Sequence, residues 1–164
     1  MKYAASLDKT SKIITLLVSL LFAVIIVSQI VSFIRYRDVT PLWVTGLLLI
    51  IYVITYCYHP VSYQIKNKSI VVHRYASNVV LSPNEIKHVE IIPSQKLRGS
   101  IRIFGVGGLY GYFGQFSNRD LGYMTWYATQ RVNEVILIEL NNHKKIIITP
   151  DQPQQFVDEL TQIA

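Results

Sequence analysis

The chain is 164 residues long and 51% hydrophobic, and a soluble fold of this length could hardly cover the two long, wholly apolar segments it contains. Its net charge of +6 comes from five basic against two acidic residues before Pro60 and eleven against eight after it, so neither part has the dense basic face that nucleic acid requires. A single cysteine, Cys57, excludes an intrachain disulfide and a thiolate metal site.

Residues 1–12 read as a short cytoplasmic N-terminal tail. Two apolar runs follow, 13–34 and 41–58, and neither contains Lys, Arg, Asp or Glu. At about 1.5 Å per residue they reach roughly 33 Å and 25 Å, which brackets the hydrocarbon core of a bilayer. A helix is the one single-segment structure that satisfies its own backbone in lipid, so two transmembrane helices in a hairpin are expected, with 35–40 as a short external link. A cleaved secretory signal would have a shorter apolar region ending in small residues, whereas Val31-Ser32-Phe33-Ile34-Arg35 ends this one. Lys2, Lys9 and Lys12 before the first run and Lys66, Lys68 and Arg74 after the second outnumber Arg35 and Arg37 in the link. Both termini are therefore expected in the cytoplasm, and the protein in the bacterial inner membrane as a multi-pass chain. Tyr36 and Trp43 would mark the outer interface, and Tyr52, Tyr56 and Tyr58 the inner one.

From Pro60 to the end, 60–164, the pattern changes. Val61, Tyr63 and Ile65 alternate with polar residues, which predicts a strand buried on one face; Asn67-Lys68 turns the chain into a return strand, 69–75. Further strands are predicted at 79–81, 88–92, 101–104, 135–140 and 144–149, the last two joined through Asn141-Asn142-His143. Asp151-Gln152-Pro153-Gln154 has helix-start chemistry, and Phe156, Val157, Leu160 and Ile163 then share one helical face. The fold class expected is α+β, mainly β: an antiparallel barrel or roll whose open end the last helix covers.

The stretch Arg102-Ile103-Phe104-Gly105-Val106-Gly107-Gly108-Leu109-Tyr110-Gly111-Tyr112-Phe113-Gly114, followed by Gly122, Tyr127, Thr149-Pro150-Asp151 and Phe156, resembles the bacterial pleckstrin-homology (PH)-like domain family of small membrane proteins. The resemblance spans about 60–163 and implies a PH-like domain behind the two transmembrane helices. It implies no reaction and no cofactor.

The glycines of this stretch do not make a phosphate loop, because no helix N-terminus follows them. A bulged hairpin, with aromatics packed over close backbones, is the first expectation. The second is a flat contact surface made of Arg102, Phe104, Tyr110, Tyr112, Phe113 and Phe116 for a protein partner or another copy of the chain. A lipid or small-ligand site would instead use Lys66, Lys68 and Arg74, although the Arg-x-Arg of phosphoinositide-binding PH domains is missing. His59, His73, His88 and His143 have no metal-ligand spacing, and no Ser or Cys stands in a nucleophile context, so no metal, cofactor or catalytic residue is assigned and a hydrolase is disfavoured. The expectation is a non-enzymatic membrane protein that displays a cytoplasmic PH-like domain for docking or self-assembly.

Overall fold

The computed structural model describes residues 1–37, 39–131 and 134–163. Strand β1 (Lys2–Ala4) precedes two helices, α1 (Lys9–Tyr36) and α2 (Thr40–Tyr58). Strands β2 (Ser62–Lys66), β3 (Ser69–His73), β4 (Val79–Leu81), β5 (Ile86–Pro93), β6 (Ile101–Gly108), β7 (Gly111–Asn118), β8 (Gly122–Ala128), β9 (Glu134–Leu140) and β10 (Lys145–Ile148) follow, and α3 (Pro153–Ile163) closes the chain.

Helix α1 is apolar on every side, with Leu16, Leu17, Leu20, Leu21, Val24 and Val27 all exposed. Among the described residues it is the one helix long and apolar enough to cross a membrane; α2 contributes a shorter apolar stretch, Leu42–Tyr58. Arg37, in the left-handed conformation, ends α1 by donating its N–H to the Phe33 carbonyl, and α2 then runs back alongside. The return is antiparallel: Ser19 and Tyr52 share a 2.5 Å hydrogen bond, and the Phe22 and Tyr52 rings lie 5.1 Å apart.

The strands form two sheets, β1-β2-β3-β4 and β5-β9-β10-β8-β7-β6. Asn67 and Lys68 both take positive φ at the β2–β3 turn, as a two-residue hairpin requires, and His143 does the same between β9 and β10. The pairing is antiparallel except between β8 and β10, which run parallel because the chain leaves β8, forms β9 further out and returns through β10 between them. The antiparallel sheet expected is present but for this one pair; β9 and β10, whose continuous apolar runs are buried, sit towards the centre of the sheet.

One face of the six-stranded sheet, with Ile136, Ile138, Leu140, Ile146 and Ile148, packs on Tyr63, Ile65, Ile70 and Val72 of the smaller sheet. The other face curls around Trp126, Phe116, Tyr112, Val135, Leu137, Ile147 and Ile92, with Leu97 filling one end. Helix α3 covers the first core through Phe156, which is fully buried, with Val157 and Leu160 beside it. The side chain of Ile163, expected on the same face, lies outside the described residues. Asp151, expected at the start of α3, holds the Ser6 N–H and hydroxyl at 2.9 Å and 2.6 Å through its carboxylate.

That bond belongs to the largest departure from expectation. Residues 1–12 are not a free tail: Tyr3 pairs with Tyr63 across β1 and β2, its ring meets Phe156 edge-on at 5.1 Å, and its hydroxyl donates to Glu159 at 2.5 Å. The β domain is thus assembled from segments on both sides of the helical pair.

Tyr63 locks the join of the two sheets. Its hydroxyl donates to the Tyr127 carbonyl at 2.6 Å and accepts the Thr149 N–H at 3.3 Å. Burial pushes its pKa up to about 12 from the ordinary 10. A phenol whose folded pKa is raised contributes stability in full below pH 10 and loses it as pH rises toward 12, because the unfolded chain ionises first. About 3 kcal/mol should disappear across that window, on the two-unit shift alone. Stability measured against pH should therefore fall above pH 10 in the wild type and more shallowly in Tyr63→Phe.

Candidate functional site

The hairpin and the domain meet through a ring cluster. Tyr110, at the β6–β7 tip with φ 56°, donates its hydroxyl to Tyr52 at 2.5 Å and its backbone N–H to the Thr15 hydroxyl at 3.0 Å. Its ring lies 5.2 Å from Tyr56 and 5.5 Å from His59, while Tyr75 stacks on Tyr56 at 5.1 Å. Burial and the Tyr52 hydroxyl raise the Tyr110 phenol well above its usual pKa, so it stays a neutral donor. The tyrosines expected to mark the inner membrane interface are thus also the joint that seats the domain on its helices.

Asp8 fixes the other side of this joint. It caps α1 by accepting the Ser11 N–H at 2.7 Å, and it also accepts the Arg131 N–H at 3.2 Å and the Tyr112 hydroxyl at 3.3 Å. Arg131 lies over the Tyr112 and Trp126 rings at 5.2 Å and 5.1 Å. Burial, with the nearby Asp8 carboxylate, raises the Tyr112 phenol.

The six residues read as one contact surface are divided. Tyr112 and Phe116 face the interior of the curled sheet, where Phe116 stacks on Trp126 at 4.2 Å, and Phe113 is buried as well. They are corrected to core residues: Tyr112, Phe113 and Phe116 of β7 are buried, while Gln115 of the same strand is exposed. Tyr110 is spent on the hairpin. Phe104 and Arg102 do lie on the surface, Phe104 at 76% exposure.

Around these two the structure adds residues that sequence reasoning missed: Ile101 (73% exposed), Ile103 and Tyr123 (78%). Ile101 pairs in register with Ser117, and Ser117 with Tyr123, so these three side chains form a row across β6, β7 and β8. Beside it an open groove of ≈ 760 Å³ is lined by Ile101, Ile103 and Tyr123 with Arg98, Arg119 and Asp120. β6 is the last strand of its sheet, so among the described residues one of its edges has no strand neighbour, although α1 packs against its Gly108 end through Ile14. A bulge between Arg102 and Phe104 interrupts its register, as the glycine-rich hairpin was expected to be bulged. The signal for this patch was present in the sequence as Ile101 and Ile103 set among Arg98, Arg102 and Arg119.

The lipid alternative does not converge. Lys66 and Lys68 stand at the tip of the β2–β3 hairpin, while Arg74 lies past its opposite end, about 13 Å or more along the strands. Arg74 is also engaged there: its guanidinium bonds Ser77 at 2.7 Å and 3.0 Å and covers the Tyr58 ring at 5.3 Å. Among the described residues no group of three or more His, Cys, Asp or Glu could hold a metal ion.

A β domain closed by a C-terminal helix, with an apolar sheet edge at its surface, has the layout of a binding module. Residues 61–164 match the family described as Bacterial PH domain, and the chain belongs to that family. PH domains are modules for binding or docking. No curated protein matches the chain, and no solved structure does.

Proposed function

We propose that this protein is a membrane-embedded docking module: α1 and α2 cross the bilayer and return, and the PH domain they carry presents the outer strands of its larger sheet to a protein partner. The observation that carries the docking reading is the exposed cluster of Ile101, Ile103 and Phe104 on β6, a strand with an open edge, with Tyr123 of β8 on the same face as Ile101. A monomer rarely leaves large apolar side chains clustered on a sheet edge, because such an edge pairs with other chains.

The membrane reading draws on the outward Leu and Val side chains of α1, and the double crossing on β1. Residues 2–4 pair with β2, so the segment before α1 and the domain after α2 share one side, and a helical pair between them must cross an even number of times. The excess of basic residues flanking the spans over those in the link supports the cytoplasm of the inner membrane as that side. Tethering confines the domain to the membrane plane, where weak contacts gain from effective concentration. The domain works by binding, with no catalytic residue.

A photo-crosslinking residue at Phe104 in native membranes tests the docking surface. Capture of one defined protein from Phe104, absent when the same residue stands at the exposed Val80 of the smaller sheet, is the expected result. Equal products from both positions would count against it.

A further inference from the structure

We infer that the occupant of this surface is an acidic, extended segment of a partner protein, added as a strand along the free edge of β6. The inference rests on the docking reading above and assigns that partner its chemistry.

Three observations bear on it. First, the charge around the edge is mostly positive. Arg98 and Arg119 line the groove beside Ile101, and the Arg102 guanidinium lies back along the strand over Gly107. Among the described residues none of the three forms an ion pair, and Asp120 is the one acid in the groove lining. Carboxylates on the incoming strand would make charge-assisted bonds to these exposed guanidiniums.

Second, the same charges disfavour a second copy. Pairing β6 with its own twin through residues 101–104 would bring two sets of Arg98, Arg102 and Arg119 together.

Third, the edge has backbone as well as side chains. A lipid leaflet could take up Ile101, Ile103 and Phe104 but offers nothing to the N–H and C=O groups on the unpaired side of β6, which another strand satisfies. The stretch Ile101–Gly107 offers roughly 23 Å, enough for a segment of about seven residues. Its acidic residues would alternate with apolar ones that rest on Ile101, Ile103 and Phe104.

The test uses the full chain in nanodiscs of neutral phosphatidylcholine and fluorescence anisotropy with an end-blocked peptide of roughly eight alternating Glu and Val residues. Binding is expected for this peptide and not for its Lys-Val counterpart. It should weaken at least about tenfold with Arg102→Glu plus Arg119→Glu, both exposed positions, and by a similar factor when alternate peptide nitrogens are methylated. Equal binding of the Glu and Lys peptides, undiminished binding of the methylated peptide, or no binding at all would overturn it. So would association with phosphatidylglycerol vesicles in place of peptide binding, or a dimer joined at Phe104 that the arginine reversals leave intact. A protein whose cross-linking at Phe104 is not reduced by the Glu-Val peptide added before irradiation would end the inference and leave docking standing.

Discussion

Gly105→Ala or Gly114→Ala should each cost the domain more than about 3 kcal/mol and lower its Tm by about 10–20 °C. The two glycines face each other across β6 and β7, with φ of 120° and 118°. A methyl group on Gly105 would collide with the Phe113 carbonyl oxygen and lie 2.7 Å from the Gly114 Cα; one on Gly114 would collide with the Phe104 carbonyl oxygen. These are backbone atoms of a paired strand, and β7 cannot retreat because β8 holds its other edge. The damage should spread to the Phe116–Trp126 stack and to the Tyr110 joint, since both depend on the same hairpin. Thermal unfolding in detergent, followed by tryptophan fluorescence, checks this; an unchanged Tm in either variant would mean that the strands are not so closely paired.

Asp8→Ala should be nearly as severe, at about 2–4 kcal/mol. The carboxylate is buried and takes three donors at once: the N–H groups of Ser11 and Arg131 and the hydroxyl of Tyr112. Alanine removes the cap of α1 and strands a phenol and an amide away from water. Asp8→Asn keeps the cap acceptor but turns an NH2 toward the remaining donors, so it should fall between alanine and wild type. Urea unfolding of the three proteins in the same detergent gives the comparison, and an alanine variant as stable as wild type would remove Asp8 from the joint between hairpin and domain.

Much of the fold was legible because its signals are local. The apolar runs of α1 and α2 carry no charge, Asn67-Lys68 and Asn141-Asn142-His143 sit between alternating segments, and Phe156, Val157 and Leu160 repeat at helical spacing. What stayed hidden is non-local. Lys2–Ala4 is too short to show alternation, and only its register with Ser62–Gln64 makes it a strand. The runs in β9 and β10 look the same whether their neighbours are parallel or antiparallel. The bulge breaks the two-residue period of β6 at Phe104, and the glycine-rich run hides where β6 ends and β7 begins, so the inward Tyr112 and Phe116 could not be told from the outward Phe104. Half of the candidate surface was therefore misassigned to core aromatics, while Ile101, Ile103 and Tyr123 went unnoticed among the arginines.

The account depends most on a helical pair that leaves the domain, crosses the bilayer and comes back to it. In a Cys57→Ser background, single cysteines at Lys2, Val39 and Lys96 can be labelled with an impermeant maleimide in sealed membrane vesicles of known orientation. Lys2 and Lys96 should label from one side and Val39 from the other; Val39 labelling together with Lys96, or Lys2 labelling from the opposite side to Lys96, would contradict it.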